Sequence, residues 1–345
     1  MSTPTAAIYG CAGPVLDAGE RAFFRAADPL GFILFARNCI DPDQLGGLVA
    51  SLRDAVGRAD APVLIDQEGG RVARLGPPHW RRPPKAARFA ALAGCDTEAA
   101  ERAAWLNARL IAAELRALGI TVGCAPVLDV PAPDAHEIIG DRAYGTEPGQ
   151  IARLGRAVID GLLAGGVAPV VKHIPGHGRA RADSHHALPV VETTADELGV
   201  VDFAPFAACA DAPFAMTAHV TYTALDASAP ATFSNIVIGE TIRKTIGFTG
   251  ALMSDDLSMR ALDGALASRA RRALEAGCDL VLHCNGEAGE MAEIAPVVPR
   301  LDGAPAKRVA RALAVIGPPA DIDDESCEPA ALAAALGALL GPEEA

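Results

Sequence analysis

Four histidines, two arginines, a lysine and an aspartate crowd into KHIPGHGRARADSHHAL, residues 172–188. A Gly/Pro-rich stretch so loaded with titratable groups buries little apolar surface, so packing does not account for it. As a metal site it offers His173, His177, His185 and His186. None of their spacings reproduces the HExxH of a zinc-binding helix, and an irregular loop holds a cation poorly. As an acid/base site it offers Asp183 and His185, two residues apart. There the carboxylate can accept from one imidazole nitrogen, orient the ring and raise its basicity, leaving the other nitrogen to move a proton. A solvated surface loop is the third reading, and an isolated Asp-x-His pair is usually that.

Two further segments bring charge to the ends of apolar runs. GFTGALMSDDLSM (247–259) drives a hydrophobic stretch into Asp255 and Asp256. An acid at such a place is costly unless paired, and Lys172, Arg142 and His173 are candidates for the pairing. Asp256 also reads as a cap for a helix over LSMRAL. DQEGGRVARL (66–75) sets Asp66 before two glycines, Arg71 and Arg74. Gly-Gly admits close approach of backbone to a ligand, or simply makes a strand-to-helix turn. No GxGxxG follows a strand and no GxxxxGK[ST] occurs, so nothing points to a nucleotide.

The elements that must position these residues follow from eight short apolar runs: TAAIYG (5–10), GFILFA (31–36), APVLID (61–66), ITVGCAPVLD (120–129), VAPVVKH (167–173), APFAMTAH (212–219), GALMSD (250–255) and CDLVLHC (278–284). Helical stretches separate most of them, such as 97–119, which the spacing predicts to start at a capping Thr97 and stop at Gly119. Continuous apolar strands alternating with helices imply a parallel sheet covered on both faces, and eight units imply a single (β/α)8 TIM-type barrel, with irregular units allowed. The carboxyl ends of the runs carry Arg37 and Asn38, Asp66, Asp129, Lys172 and His173, His219, Asp255, and His283. In a closed barrel all of these converge on one mouth, the place where barrel enzymes keep their active sites. One catalytic domain is expected over 1–345, with its core at about 5–315. The Pro- and acid-rich, then Ala/Leu-rich stretch 316–345 reads as a loop, a short peripheral helix and a frayed end.

Composition narrows the partners. The formal charge of −13 disfavours nucleic acid and anionic membranes. The N-terminus lacks a signal-peptide pattern, and no segment is apolar for long enough to cross a bilayer, so a cytoplasmic protein is expected. The eight cysteines contain no CxxC pair and read as reduced thiols, mostly buried. Cys278 and Cys284 read as core thiols rather than a ligand pair.

Taken together, DQEGG, GDRAYG (140–145), KHIPGHG, DSH and MSDDLSM make the chain resemble the bacterial β-N-acetylhexosaminidases of glycoside hydrolase family 3. The resemblance runs from about residue 5 to about 290. It implies a cytoplasmic role in recycling cell-wall muropeptides, by removal of terminal non-reducing N-acetylglucosamine from N-acetylglucosaminyl-anhydro-muropeptides with retention at the anomeric carbon. It implies Asp255 as nucleophile, His185 as acid/base with Asp183 as its dyad partner, and Asp66, Arg74, Arg142, Lys172 and His173 as the grip on the sugar. It calls for no metal and no cofactor, and a monomer or weak dimer is expected. The chain departs from the family pattern at Ile174, where Phe is usual, and at Ala143-Tyr144, where Ser-Phe is usual. These changes bear on packing or the subsite wall. Transfer of the sugar to phosphate, a metal-dependent barrel amidohydrolase, and a sugar-binding protein without turnover are the other readings.

Overall fold

The computed structural model describes residues 3–184, 186–320 and 328–342, so His185 lies outside the described residues. Among them, eight parallel strands close a barrel in chain order: Thr5–Tyr9, Pro29–Leu34, Val63–Ile65, Val122–Gly123, Ala168–Ile174, Phe214–Thr217, Ala251–Asp256 and Leu280–His283. These are the eight apolar runs of the sequence, and they are called the first to eighth strands below. The ring closes through Tyr9 beside both Phe32 and His283. All residues of the second and fifth strands are buried, as expected of strands covered by side chains inside and helices outside. The fourth strand pairs over only two residues.

Two small additions sit beyond the carboxyl ends of the strands. Gln67–Gly69 pairs antiparallel with Val72–Ala73, and Val190–Val191 pairs with Thr221–Tyr222. The first explains the two glycines. A Cβ on Gly69 would lie 2.1 Å from Pro84 O and one on Gly70 would lie 2.6 Å from Lys85 Cβ, so the pair makes room for the chain at 83–85 rather than for a ligand.

The long helix spans Thr97–Ala117. Its cap is Asp96, whose side chain accepts from Ala99 N at 3.0 Å, so Thr97 is the first helical residue and not the expected cap. It packs against Pro148–Ala164 and against the C-terminal helix Pro329–Leu340, which buries Leu332 and Leu336. Residues 321–327 and 343–345 of the expected loop and frayed end lie outside the described residues. Among the described residues, no helix is long and apolar enough to cross a membrane. The seven described cysteines are free, and five of them are buried.

Candidate active site

The third and fifth strands, separated in the barrel only by the fourth, both bring charge to the mouth. Lys172, almost at the end of the fifth strand and 2% exposed, donates to Asp66 Oδ1 at 2.8 Å and lies 2.6 Å from Glu68 Oε1. Arg74 Nη2 donates to the other Asp66 oxygen at 2.9 Å. Arg142, on the one-turn helix Gly140–Arg142, holds Glu68 with Nε and Nη2 at 2.8 and 2.9 Å. Burial works to raise both carboxyl pKa values, and the cations more than offset it, pulling Asp66 well below the usual range and Glu68 down to about 2. Burial likewise works against the charge on Lys172, but Asp66 and Glu68 push its pKa up. Asp66, Glu68, Lys172 and Arg142 are therefore ionised at neutral pH.

The cluster is not used up by its internal bonds. Among the described residues, each oxygen of Asp66 keeps a lone pair, Lys172 keeps a third N–H, and Arg74 Nε is a buried donor with no partner. Donors and acceptors together at one wall suit a neutral polyol better than an anion, which would meet only the cations usefully.

His173 follows Lys172. Asp129, fully buried, takes His173 Nδ1 at 2.7 Å and the amides of His173 and His177 at 3.1 and 2.6 Å. Burial alone would raise the Asp129 pKa, and these contacts hold it below the usual range. The carboxylate fixes Nδ1 as the protonated nitrogen, so Nε2 is the atom left to face a ligand.

Asp255 lies near the end of the seventh strand and is half-buried. Its neighbours are tied on both sides. Ser254 Oγ accepts from Leu282 N at 3.0 Å, Asp256 Oδ1 accepts from Cys284 N at 3.0 Å, and His219 Nε2 meets Asp256 O at 3.0 Å. Asp256 also accepts from both Ser258 N and Ser258 Oγ. The chain from 257 to 262 forms turns, and the next helix begins at Leu266, so Asp256 caps no helix; it sews the seventh strand to the eighth.

These walls enclose a cavity of about 250 Å³. That is smaller than the ~300–1,000 Å³ of drug-sized sites and suits one sugar ring. Of the residues expected from sequence, Asp66, Arg74, Arg142, Lys172, His173 and Asp255 all line it. Asp183 is nearby in sequence to the lining residue Ser184, and His186 is mostly exposed, its Nε2 3.9 Å from Asp183 Oδ2. Lys172, Arg142 and His173 direct the bonds given above to Asp66, Glu68 and Asp129.

Several strand-end residues do structural work instead. Arg37 donates to the carbonyls of Cys11 and Cys284, and Asn38 to those of Cys11 and Gly13. His219 bonds Thr232 as well as Asp256, and His283 bonds Glu290. Phe35, just after the second strand, joins the lining, with the Arg37 and Arg74 guanidinium groups 5.0 and 5.1 Å from its ring centre. Cys284 lines the cavity too, so it is not purely a core thiol. Ile174, Ala143 and Tyr144 are core residues outside the lining, which places the family departures in packing. Sequence reasoning passed over Glu68, and the only signal for it was an acid two residues after Asp66. Among the described residues, no group of three His, Cys, Asp or Glu side chains is arranged to hold a metal ion.

Comparison with known proteins bears on the chemistry. The model of the glycosyl hydrolase family 3 N-terminal domain matches residues 26–316. The chain belongs to glycosyl hydrolase family 3. Relatives in this family include a β-hexosaminidase of Methylococcus capsulatus, 40% identical over 81% of this chain and 82% of the relative. A β-hexosaminidase of Pseudomonas aeruginosa is 39% identical over 87% of this chain and 88% of its own. Native NagZ from Neisseria gonorrhoeae superposes with a TM-score of 0.87 at 31% identity over 99% of both chains. The same enzyme in complex with N-trifluoroacetyl-D-glucosamine gives 0.87 at 32%, again over 99% of both chains.

The buried ion cluster of this family 3 chain makes a stability prediction. Glu68→Gln removes one charge and leaves Arg142 without its carboxylate, which should cost about 3–5 kcal/mol in urea unfolding at pH 7. Because the folded-state pKa of Glu68 lies below its unfolded value, the unfolded chain takes up the proton first as pH falls. The contribution is therefore complete above the ordinary Glu pKa and lost as pH drops toward about 2. Over that acid window the variant should lose less stability than the parent, and parallel acid limbs would refute the assignment.

Proposed function

We propose that the chain is a retaining β-N-acetylglucosaminidase that removes terminal non-reducing N-acetylglucosamine from muropeptide-derived β-glycosides during cell-wall recycling in the cytoplasm, acting as one catalytic unit. The observation that carries this reading is Asp255, at a strand end tied to the eighth strand, sharing a cavity of single-sugar size with the Asp66–Lys172–Arg74 cluster. The β-hexosaminidase names of the relatives and the amino-sugar derivative bound to the gonococcal enzyme support the choice of substrate.

In this reading Asp66, Arg74, Arg142, Lys172 and His173 bind the hydroxyls and acetamido group. An Asp255 oxygen attacks the anomeric carbon while the glycosidic oxygen leaves with a proton from the His185 imidazolium. The neutral imidazole then takes a proton from water as that water attacks the same carbon, which releases the Asp255 carboxylate and restores the imidazolium. Two displacements give retention. A histidine replaces the usual second carboxyl because its ordinary pKa lies near working pH, where it both gives and takes a proton. Asp183 orients that ring.

The test is turnover of an aryl N-acetyl-β-glucosaminide beside the matching glucoside. Turnover confined to the N-acetyl sugar supports the reading, and equal turnover of both removes the role of the acetamido group. Phosphate in the assay separates transfer to water from transfer to phosphate. Exhaustive chelation is expected to leave the rate unchanged, since side chains fill every role. Activity lost to EDTA and restored by Zn²⁺ would favour a metal-dependent hydrolase.

A further inference from the structure

Ser184 stands between Asp183 and His185, and it is the one buried position among the described residues of 181–188. Its hydroxyl lies 3.0 Å from His177 Nε2, and its carbonyl accepts from Ala261 N at 3.2 Å. Both anchors are themselves fixed. The His177 amide is held by Asp129, Ala132 N donates to Gly178 O at 2.9 Å, and the Tyr222 hydroxyl donates to Gly176 O at 2.6 Å. A Cβ on Gly178 would lie 1.9 Å from Val130 O, so only glycine lets the chain cross there. Ala261 belongs to the turns that follow Asp256. Ser184 thus joins the rigid continuation of the fifth strand to the segment that follows Asp255.

We propose that the His177–Ser184 hydrogen bond is a latch that docks Asp183 and Ser184 at the cavity, making His177 a positioning residue for the proton transfer. The proposal rests on His185 as the acid/base. His177 is a poor candidate for that task itself. Burial, with His173 beside it, lowers its pKa to about 4 against the opposing pull of Asp129 and Asp255, so at neutral pH it is a neutral imidazole and a weak acid. Its Nδ1 is buried without a partner among the described residues, and its Nε2 is engaged by Ser184. What it offers is a neutral bond that keeps the loop in place while another ring titrates.

Two readouts separate the latch from the acid assignment. Arg181 is exposed, so trypsin cleavage after it under native conditions reports loop undocking without reference to chemistry. Loss of one hydrogen bond is worth roughly a five- to tenfold change. Ser184→Ala and His177→Leu should each speed that cleavage by this factor and lower kcat for an alkyl glycoside by a similar one, with the burst-phase release of nitrophenol little changed. His177→Gln, which keeps an amide nitrogen near the Nε2 position, should restore both. Unchanged cleavage in Ser184→Ala and His177→Leu would overturn the latch. Faster cleavage with no alkyl-selective loss, in an enzyme where His185→Ala does show one, would overturn the positioning role. If His185→Ala shows no such loss either, the acid assignment fails and cleavage alone decides the latch.

Discussion

Asp255→Ala is expected to leave the barrel folded and to lower turnover by roughly 10⁴-fold or more, the scale seen when an enzyme loses its nucleophile. The side chain is half-buried at the mouth, and the ties holding its strand end run through Ser254, Asp256 and His219, so its removal opens no core cavity. Added azide should then take the place of the missing carboxylate and give the glycosyl azide of inverted configuration, while the aglycone leaves as before. A mild loss in Asp255→Ala would instead point to the substrate's own acetamido oxygen as nucleophile, a route known in other glycosidases. Asp256→Ala is the companion variant. It breaks the bond to Cys284 N and should cost about 1–3 kcal/mol of stability, with turnover reduced far less than in Asp255→Ala. Thermal unfolding and single-turnover kinetics on the two variants separate a structural acid from a chemical one.

The barrel was legible because parallel strands covered on both faces must be apolar throughout, and this chain writes each of them as a short run. What the runs could not reveal was how far each one pairs. ITVGCAPVLD reads as ten strand-like residues, but the continuous ladder of the barrel holds Val122–Gly123 alone, with a single further bridge from Val127 to Lys172. The rest bends through Pro126 and delivers Asp129 to His173.

The rule that polar residues at strand ends converge on the mouth found Asp66, Lys172, His173 and Asp255. It also collected Arg37, Asn38, His219 and His283, whose side chains bond backbone carbonyls, a threonine or a surface glutamate. A strand end in a barrel has two needs, satisfying exposed backbone and meeting a ligand, and a residue type alone does not distinguish them. Arg74 and Arg142 lie beyond strand ends and came from the motifs of the family. Glu68 escaped because its position depends on the tight turn over 69–72, which points it back toward Arg142. His177 was legible only as a possible metal ligand, since a contact seven residues along an irregular loop leaves no periodic trace.

The second large effect belongs to His185 and depends on how much proton donation each leaving group needs. A sugar alcohol is a poor leaving group and must be protonated as the bond breaks, whereas a nitrophenolate departs with little help. Losing a general acid worth roughly 10²- to 10⁴-fold should therefore fall mainly on alkyl and sugar aglycones. With the nitrophenyl substrate His185→Ala should still form the glycosyl-Asp255 species, but its hydrolysis lacks the base, so a burst followed by slow turnover is expected. Asp183→Ala should give a weaker form of the same pattern, because the imidazole remains while its orientation and basicity suffer. His186→Ala is the control: its side chain is mostly exposed and should be nearly silent. If His186→Ala shows the leaving-group split and His185→Ala does not, the other imidazole is the acid. If neither does, the segment from 183 to 186 only binds substrate, and the proton must come from another residue of the cavity, where the Asp129-held His173 has Nε2 available.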